Sequence, residues 1–599
     1  MASPQGYKPR RRRKIEEGSL AHVTHGTLDL DQSSHARKPA FPLVAFLWPA
    51  KGVVSQWITI PVILMVVGLF RWTTGLWGYS GFNSPPMHGD FEAQRHWMEL
   101  TQHLPVSHWY FYDLEWWGLD YPPLTAYHSW LLGTMYVCLV LVSPSLMSAS
   151  GSAINPQWFA LFDSRALDDP LLKIYMRATV LVSEYLIYVP ATIIFLRRYS
   201  RAEKVNVWEA SIALVAILMQ PATLLIDHGH FQYNTVMLGL AVASLSSIQA
   251  GRYLWSCVFF VGALGFKQMA LFYAPAVFAY LLGICVFPRI NVVRLLSIAV
   301  TTVAAFALLY LPFLVGISYD VYKIMPLKGL PLPPLLESLP MSLNPEAWYY
   351  PYILGLGQSV HRIFPFARGL FEDKVANVWC TIYTFHKLHR YSGTLLQRAA
   401  LVATLASITP PCLILFLKPR RQLVPLAFAT TAWGFFLCSY QVHEKNVLLP
   451  LLPMTLLLSG QGGLLPSVRA WVGLANMLGV WTMFPLLKRD ELRVPYFVIS
   501  LLWAYLLGLP PVSFSAYHEG TSGGLSLPTK ILHLNIYVAM VGWHVAEAFV
   551  ATPADKPDLW VVANAIIGCG GFALCYLWCL WTLLRKSELL GFKAKSKTQ

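Results

Sequence analysis

The chain has 599 residues, of which 56% are hydrophobic and only 13% are charged. A soluble domain carries about 25% charged residues, so the composition excludes an ordinary soluble protein and indicates that much of the surface faces lipid. The formal net charge of +15 would favour nucleic acid as the partner of a soluble protein. Here the basic residues lie mostly in short connections and tails, as the positive-inside rule predicts, and we predict no nucleic-acid binding.

The chain begins with a polar segment that contains a basic run at 10–14 and no apolar stretch. A cleaved signal peptide requires such a stretch, so we predict that residues 1–54 form a disordered, basic tail on the cytosolic side. Residues 585–599 form a second basic tail. Its last five residues, KSKTQ, resemble the dilysine retrieval signal of resident membrane proteins of the endoplasmic reticulum.

Between the tails, residues 55–584 carry many apolar runs, such as 295–315, 396–417 and 559–584. Spanning a bilayer takes about 20 apolar residues. Counting the runs by length predicts an all-α polytopic membrane protein with about 13 to 16 transmembrane helices. The abundant Trp, Tyr and Phe side chains fit aromatic belts at the two membrane interfaces.

Basic connections orient these spans. The positive-inside rule places five of them on the cytosolic side, namely 10–14, 197–204, 289–294, 418–421 and 593–597. Alternation of the spans then brings four segments to the luminal side, namely 78–121, 227–234, 441–446 and the long connection 316–392. Because polar segments from distant parts of the sequence converge on one face, we predict a luminal active site.

Two features do not fit this map. Three apolar runs lie between residues 121 and 227, although two polar segments on one side require an even number of crossings. A split run or an extra span near 155–162 would restore the parity. In addition, Lys488, Arg489 and Arg493 fall on the luminal side, against the positive-inside rule.

The first luminal segment carries the most information. Asp90 is placed to cap a helix, on which Glu92, His96 and Glu99 share one face. This spacing predicts an amphipathic helix lying on the membrane surface. Glu92 and His96 are candidate substrate-binding residues, and Trp97 is a candidate for stacking on sugar or lipid.

The same segment holds the candidate base. Chemistry on an alcohol needs a base within hydrogen-bond reach of the hydroxyl, and a carboxylate at a membrane interface can serve. Asp90 is the candidate for this role, and the alternative is that it only caps its helix. For Glu92 and Glu99 the alternative is a solvated helix face. Asp120 is a further candidate for binding substrate.

Two shorter polar segments interrupt apolar runs. The first contains Asp227, His230 and Gln232, and the spacing of its histidines does not match a helical metal-binding pair. We expect these side chains to bind a sugar or a phosphate, with a satisfied polar turn as the alternative. No CxxC pair occurs among the nine cysteines, so no structural metal is predicted.

The second polar segment contains His443, Glu444 and Lys445. Ionisable residues near the membrane interior are costly and indicate function by default. Lys445 or His443 would neutralise a departing phosphate, and the alternative is an ion pair between Glu444 and Lys445. Lys267 is an isolated cation of the same kind.

The long luminal connection adds further basic residues. Arg362, Arg368 and Lys374 are candidates for contacting phosphate or pyrophosphate. The alternative for each is a solvated loop charge.

Six runs of the sequence resemble the dolichyl-phosphate-glucose-dependent glucosyltransferases of N-glycan assembly. They are PPMHGDFEAQRHWMELT (85–101), WGLDYPPLTAYHS (117–129), DHGHFQYN (227–234), GFKQMALFYAP (265–275), RIFPFARGLFEDKVANVWC (362–380) and QVHEKN (441–446). Within the family, EAQRHWMELT and LDYPPLTAYHS are most similar to members that add the first glucose. Members that add the second glucose are the alternative.

The resemblance implies the GT-C fold, with an amphipathic helix pair in the first luminal loop, in the membrane of the endoplasmic reticulum. It implies transfer of glucose, with inversion, from dolichyl-phosphate-glucose to Man9GlcNAc2-PP-dolichol, forming an α-1,3 linkage. The family's catalytic aspartate corresponds to Asp90. The resemblance also implies dolichol-linked donor and acceptor lipids as binding partners, and no metal or other cofactor.

Two other functions compete with this interpretation. A transporter of lipid-linked sugars would place polar residues near the bilayer midplane in broken helices of two related halves, but the sequence shows no internal repeat. A non-catalytic subunit of a glycosylation complex would not need convergent acids, histidines and lysines. Both are less favoured than the enzyme.

Overall fold

The computed structural model describes residues 39–85, 88–147, 157–323, 330–338, 343–364, 374–518 and 523–589. Every regular element in these ranges is helical, and those from Ala40 onward belong to one unit. Most of the predicted N-terminal tail lies outside the described residues. So do the basic segments 10–14 and 593–597 and the residues that resemble a retrieval signal.

The α-helices of the described ranges are Pro42–Leu47, Gln56–Thr74, Asp90–His103, Pro123–Met147, Pro170–Ala202, Val207–Leu218, Pro221–Thr223, Asn234–Gln249, Tyr253–Phe266, Ala274–Val286, Val292–Lys323, Pro334–Glu337, Tyr350–Ile363, Val378–Phe385, Gly393–Leu417, Val424–Cys438, Leu448–Leu456, Pro466–Thr482, Phe484–Arg489, Arg493–Leu507, Leu527–Phe549 and Leu559–Ser587. A π-helical segment, Leu224–Phe231, precedes the helix that begins at Asn234. Short 3-10 turns occur at Trp48–Ala50, Val106–His108, Gln268–Tyr273, Leu388–Arg390, Arg421–Leu423, Glu444–Val447 and Leu457–Ser459.

The predicted multi-pass membrane architecture is confirmed. Seven helical segments of the described residues are long and apolar enough to cross a membrane, namely Trp57–Thr74, Pro170–Ala202, Val207–Phe231, Gln268–Val286, Val292–Lys323, Gly393–Leu417 and Leu559–Ser587. This is fewer than the 13 to 16 spans counted from apolar runs, because several runs fold into short helices. Val424–Cys438 has 15 residues and Leu448–Leu456 has nine, and a helix rises only about 1.5 Å per residue.

The ordered chain begins earlier than predicted. Helix Pro42–Leu47 lies inside the range assigned to the disordered tail. Phe41 and Leu43 are buried, and the Arg469 guanidinium lies 3.9 Å from the centroid of the Phe41 ring, a cation–π contact. The boundary at residue 54 is therefore wrong, because this apolar segment packs on the core. The long connection predicted from 316 begins with the last turns of helix Val292–Lys323.

The structure bears on the parity problem of the predicted topology. Trp158 and Ser164 both contact Arg95 on helix Asp90–His103. Residues 157–169 therefore pack against the first of the predicted luminal segments, although helix Pro123–Met147 separates the two in sequence. Between this contact and His230, the described helical segments long and apolar enough to cross a membrane are Pro170–Ala202 and Val207–Phe231. Residues 157–166 form turns, so they contain no part of an extra span.

The first of the predicted luminal segments, residues 78–121, differs from the predicted amphipathic pair. It contains one α-helix, Asp90–His103, which we call the Asp90 helix, and its consecutive residues from Phe91 to Thr101 are all buried. The helix thus packs inside the protein instead of lying on the membrane surface. Pro105 follows it, and the next element is only the 3-10 turn Val106–His108.

Basic connections and the polar segments lie at opposite ends of helix Tyr253–Phe266. Near its first residue, Arg421 accepts a hydrogen bond from the Gln249 side chain through its backbone carbonyl, and Arg420 pairs with Glu588 at 3.1 Å. At its other end, Lys267 follows Phe266 and reaches the polar residues described below. This arrangement is consistent with the predicted separation of the basic connections from the polar segments.

Candidate active site

The start of the Asp90 helix is capped from another segment. Gly89 occupies the N-cap position and has no side chain to offer, so the Ser80 hydroxyl accepts the backbone N–H of Asp90 at 3.0 Å. The two segments can approach closely because Gly81 has no Cβ. A Cβ at this position would lie 1.8 Å from the Gly89 nitrogen. The prediction that Asp90 is the N-cap is therefore wrong: its carboxylate is available for other contacts.

The remaining acids of the Asp90 helix are not solvated. The Arg95 guanidinium binds Glu92 at 2.6 Å and Glu99 at 2.7 Å, and all three side chains are buried. Glu99 also lies 3.3 Å from His96. Burial alone would raise the pKa of Glu99, but the hydrogen bond from His96 and the charge of Arg95 lower it to about 2. Glu92 and His96 therefore belong to a buried ionic network and do not line the cavity described below.

This network ties the Asp90 helix to the neighbouring turns. Arg95 donates to the hydroxyl of Ser164 and to the carbonyl of Trp158. Asp113 lies 3.3 Å from His96 and pairs with Arg165. Charged side chains thus fix the helix that carries Asp90 from the side facing away from the cavity.

The π-helical segment Leu224–Phe231 presents its two histidines in different directions. His228 contacts Glu184 at 2.5 Å, and Glu184 is bound on its other side by Arg71. Asp227 accepts hydrogen bonds from the Asn234 side chain and the Thr235 backbone. Asp227 therefore holds the start of the next helix and does not line the cavity described below. His230 instead faces the Asp90 helix.

A cavity of about 710 Å³ opens where these segments meet. Residues from seven separate stretches of the chain line it. Among them are the predicted site residues Asp90, Trp97, Asp120, His230, Gln232, Lys267, Arg362, His443, Glu444 and Lys445. The polar segments that the sequence analysis singled out therefore do converge. Arg368 lies outside the described residues, and Lys374 pairs with Asp558 away from the cavity.

Asp90 is anchored through one of its two carboxylate oxygens. His230 Nε2 lies 2.8 Å from Oδ2, and the side chains of Gln232 and Lys445 donate to the same oxygen. Within the part of the chain that the structure describes, no hydrogen bond reaches Oδ1. One oxygen thus fixes the side chain, and the other is available to a ligand in the cavity.

The charge around Asp90 keeps it ionised. Burial alone would raise the pKa of Asp90, but the ammonium of Lys445 and the contact with His230 outweigh burial and hold that pKa well below its usual range. An opposite charge within hydrogen-bond distance favours the ionised carboxylate in this way. The resting site therefore holds a carboxylate, not a carboxylic acid.

A second chain of contacts extends from Asp90 into the cavity wall. Gln232 donates to Asp90 and accepts a hydrogen bond from Lys267 Nζ at 2.9 Å. The same ammonium binds Asn234 Oδ1 at 2.7 Å and lies 4.7 Å from the centroid of the Tyr121 ring. Lys267 is thus held in place by neutral groups and contributes a fixed positive charge.

Two further cations reach the cavity. Arg362 is held by the backbone carbonyls of Gly118 and Leu119, so its guanidinium has a defined position. Arg489, which broke the positive-inside rule, also lines the cavity, and its neighbour Asp490 contacts His230 Nδ1 at 2.5 Å. From the sequence alone, residues 488–493 stood out only as an exception to the positive-inside rule, and that exception was the signal that could have assigned Arg489 to the cavity.

Strained backbone clusters at this site. His88, Phe231 and Gln441 all have positive φ, at 54°, 83° and 57°. Bulky residues rarely adopt this conformation, and where they do the strain is commonly associated with function. Each of the three belongs to or directly adjoins the lining of the cavity.

Comparison with known proteins places this site in context. The model of the ALG6, ALG8 glycosyltransferase family matches residues 60–330 and 344–581. A Schizosaccharomyces pombe protein named "Probable dolichyl pyrophosphate Man9GlcNAc2 alpha-1,3-glucosyltransferase" is 41% identical over 559 residues, which cover 93% of this chain and 98% of that protein. The Saccharomyces cerevisiae protein named "Dolichyl pyrophosphate Man9GlcNAc2 alpha-1,3-glucosyltransferase" is 40% identical over 566 residues, which cover 90% and 94%.

The Gallus gallus protein with the same name is 34% identical over 546 residues, covering 86% of this chain and 94% of that protein. The residues matched by the family model include every segment that lines the cavity. The similarity therefore covers the candidate site as well as the helical scaffold.

Proposed function

This chain belongs to the ALG6, ALG8 glycosyltransferase family, and on that premise we propose that it transfers glucose from dolichyl-phosphate-glucose to Man9GlcNAc2-PP-dolichol, with inversion, forming an α-1,3 linkage. The names of the relatives support this substrate pair. The observation that carries the proposal is the asymmetric anchoring of Asp90, whose Oδ2 is held by three side chains. That arrangement suits a single base acting on one hydroxyl.

Asp90 acts as the base. The acceptor hydroxyl oxygen attacks C1 of glucose, the bond from C1 to the phosphate oxygen breaks, and the hydroxyl proton passes to Asp90 Oδ1. The leaving dolichyl phosphate keeps the bonding electron pair. A carboxylate of low basicity is sufficient because the hydroxyl proton becomes strongly acidic as its oxygen bonds to C1.

The cations of the cavity act on the phosphate. The phosphate gains one negative charge as it leaves, so fixed positive groups stabilise the transition state more than the ground state. Lys445, His443 and Arg362 line the cavity together with Asp90, and we assign the donor phosphate to them. Lys267 supplies a further charge from the wall, and Trp97, Asp120 and Glu444 contact the sugars.

We also propose that transfer needs no divalent metal. Lys445 contacts Asp90 Oδ2, so an ammonium supplies positive charge at this carboxylate. Among the described residues, no group of three or more His, Cys, Asp or Glu side chains is arranged to hold a metal ion. The side chains around Asp90 are therefore better suited to hydrogen bonding than to coordinating a metal ion.

The enzyme is proposed to reside in the membrane of the endoplasmic reticulum, with the cavity on the luminal side and both termini in the cytosol. The separation of the basic connections from the cavity along helix Tyr253–Phe266 supports this orientation under the positive-inside rule. Glycosylation tags placed in residues 78–89 and after residue 589 test it. The orientation requires modification of the first tag and not of the second.

Glucose transfer by the purified protein tests the activity. The donor is dolichyl-phosphate-glucose, the acceptor is lipid-linked Man9GlcNAc2, and the buffer contains EDTA. We expect the wild type to transfer glucose and the transfer rate of Asp90→Asn to fall at least about 10³-fold. A loss of this size lies in the upper part of what a general base contributes together with the charge of its carboxylate. Glu115→Gln, which removes an exposed carboxylate from the same loop, is the matched control and should keep full activity.

The other outcomes are informative. Transfer only to an acceptor that already carries one glucose would identify the member of the family that adds the second glucose. Activity that requires an added divalent cation would contradict the metal-free mechanism. If Asp90→Asn retains most of its activity while remaining folded, the base lies elsewhere.

A further inference from the structure

Asp490 lies directly behind the candidate site without lining the cavity. Its side chain is 1% exposed, and Oδ2 is 2.5 Å from Nδ1 of His230. The other ring nitrogen of His230 lies 2.8 Å from Oδ2 of Asp90. The imidazole therefore joins two carboxylates that are 400 residues apart in the sequence, and Asp490 reaches the reacting groups only through it.

The position of Asp490 is rigidly defined. It ends helix Phe484–Arg489, and its backbone carbonyl packs so closely on Gly78 that a Cβ at that position would lie 2.2 Å from it. Arg177 donates to the carbonyls of Gly78 and Gly229, which joins the first luminal segment to the segment that carries His230. The backbone that carries Asp490 is thus fixed beside the segments that carry Gly78 and His230.

The two carboxylate contacts favour a proton on each ring nitrogen of His230. A neutral imidazole carries one N–H and can donate only one hydrogen bond, whereas both ring nitrogens here face carboxylates at hydrogen-bond distance. Both contacts are hydrogen bonds only when the ring is an imidazolium. The charged groups that face the ring are Asp90, Asp490 and Lys445, whose Nζ is 3.2 Å from Nε2, with Arg177 behind the Gly229 carbonyl.

We infer that Asp490 is a positioning residue for the base: through the doubly protonated His230 it holds Oδ2 of Asp90 and so leaves Oδ1 for the acceptor hydroxyl. This inference rests on the proposed function of Asp90. No proton moves through His230 during transfer, because the hydroxyl proton ends on Oδ1. A carboxylate that fixes a catalytic imidazole in one protonation state is a known way to order an active site.

The Asp490→Asn variant tests the inference, because it keeps the size of the side chain and removes its charge. Its neighbour Glu491 is exposed, so Glu491→Gln is a control with the same chemical change one residue away. Both are assayed as the full chain in glucose transfer between pH 5.5 and 9, with separate saturation of donor and acceptor. Thermal unfolding of each purified variant is followed in parallel.

We expect Asp490→Asn to lower kcat by about 10- to 100-fold, while KM for either lipid changes by less than about threefold, the pattern of an interaction lost in the transition state. The alkaline limb of its kcat profile should move to lower pH, because the imidazolium has lost one of its two carboxylates. Asp490→Glu should restore part of the rate. Glu491→Gln should match the wild type.

A purely structural role would give a different pattern. Lower thermal stability with an unchanged position of the alkaline limb would overturn the inference, as would a wild-type rate for Asp490→Asn. These results are distinguishable from failure of the proposed function, in which the wild type itself transfers no glucose. Wild-type transfer with an unaffected Asp490→Asn variant would reject only the positioning role.

Discussion

The Ser80 hydroxyl accepts the backbone N–H of Asp90 at 3.0 Å, and Ser80 itself donates its backbone N–H to the carbonyl of His230 at 2.9 Å. One residue thus caps the Asp90 helix and joins it to the segment that carries His230. An aspartate at the start of a helix ordinarily satisfies backbone N–H groups with its own carboxylate. Because Ser80 performs that role, the Asp90 carboxylate is directed to His230, Gln232 and Lys445.

Replacing Ser80 by alanine should therefore affect catalysis as well as stability. Loss of a capping hydroxyl costs about 1 kcal/mol, and the unsatisfied N–H would compete for the Asp90 carboxylate. We expect kcat for glucose transfer to fall about tenfold in Ser80→Ala. Ser55→Ala is the matched control because Ser55 caps helix Gln56–Thr74. If both variants transfer glucose equally well, the cap does not free Asp90.

Lys445 contacts both the base and the cavity. Replacing it by methionine keeps most of the apolar stem and removes the charge assigned to the departing phosphate. Loss of one such group lowers kcat by about 10² to 10³ in comparable sites, and we expect a loss of that size in the transfer assay. Lys556→Met, at an exposed loop position, should have no effect. A change confined to KM would indicate that Lys445 binds the donor equally before and during transfer.

The ionisation of Asp90 predicts the acid side of the pH profile. Lys445 and His230 hold the pKa of Asp90 well below its usual range, so the base stays deprotonated throughout the pH range of an assay. The wild-type profile of kcat/KM, which reports the free enzyme, should therefore show no acid limb from Asp90 between pH 5 and 7. In Lys445→Met that pKa rises toward its ordinary value, and any acid limb of Asp90 should move upward. The assignment would be contradicted if the wild type showed an acid limb in this range and that limb disappeared in Asp90→Glu but in no other variant.

Local chemistry and topology were accessible from the sequence to different degrees. Apolar runs and basic connections predicted the multi-pass helical protein and the convergence of Asp90, His230 and Lys445, because burial and charge placement depend on composition. The number of spans could not be derived in this way. Whether a run such as 448–459 folds straight or breaks into Leu448–Leu456 and a 3-10 turn depends on its neighbours.

The sequence could not predict which side chains contact each other inside a buried site, and this was the main limit of the prediction. Helical spacing put Glu92 and Glu99 on one face, but it did not show that Arg95 lies between them or that Ser164 arrives from a distant turn. Asp227 was interpreted as a substrate ligand because its motif is polar, whereas its partners are the first residues of the next helix. In each case the deciding contact is set by the tertiary structure and has no local sequence signal.

The ionic network under the Asp90 helix predicts a specific loss of stability. Arg95→Met leaves Glu92 and Glu99 buried without their shared cation, and breaking a buried pair in this way costs about 3–5 kcal/mol. We expect a markedly lower unfolding temperature for this variant in detergent, followed by tryptophan fluorescence. Arg165→Met is the control, because its pair with Asp113 is partly exposed and such pairs contribute about 1 kcal/mol or less.

The loss of stability expected for Arg95→Met should also depend on pH. The pKa of Glu99 is about 2 in the folded protein, against an ordinary value of 4.5. A lowered carboxylate pKa stabilises the fold above the unfolded-state value, and the contribution disappears as pH falls toward the folded-state value. The difference between wild type and Arg95→Met should therefore be full at pH 7 and shrink below about pH 4.5. A difference that stays constant from pH 7 to pH 3.5, or no difference at pH 7, would show that this network does not support the helix that carries the base.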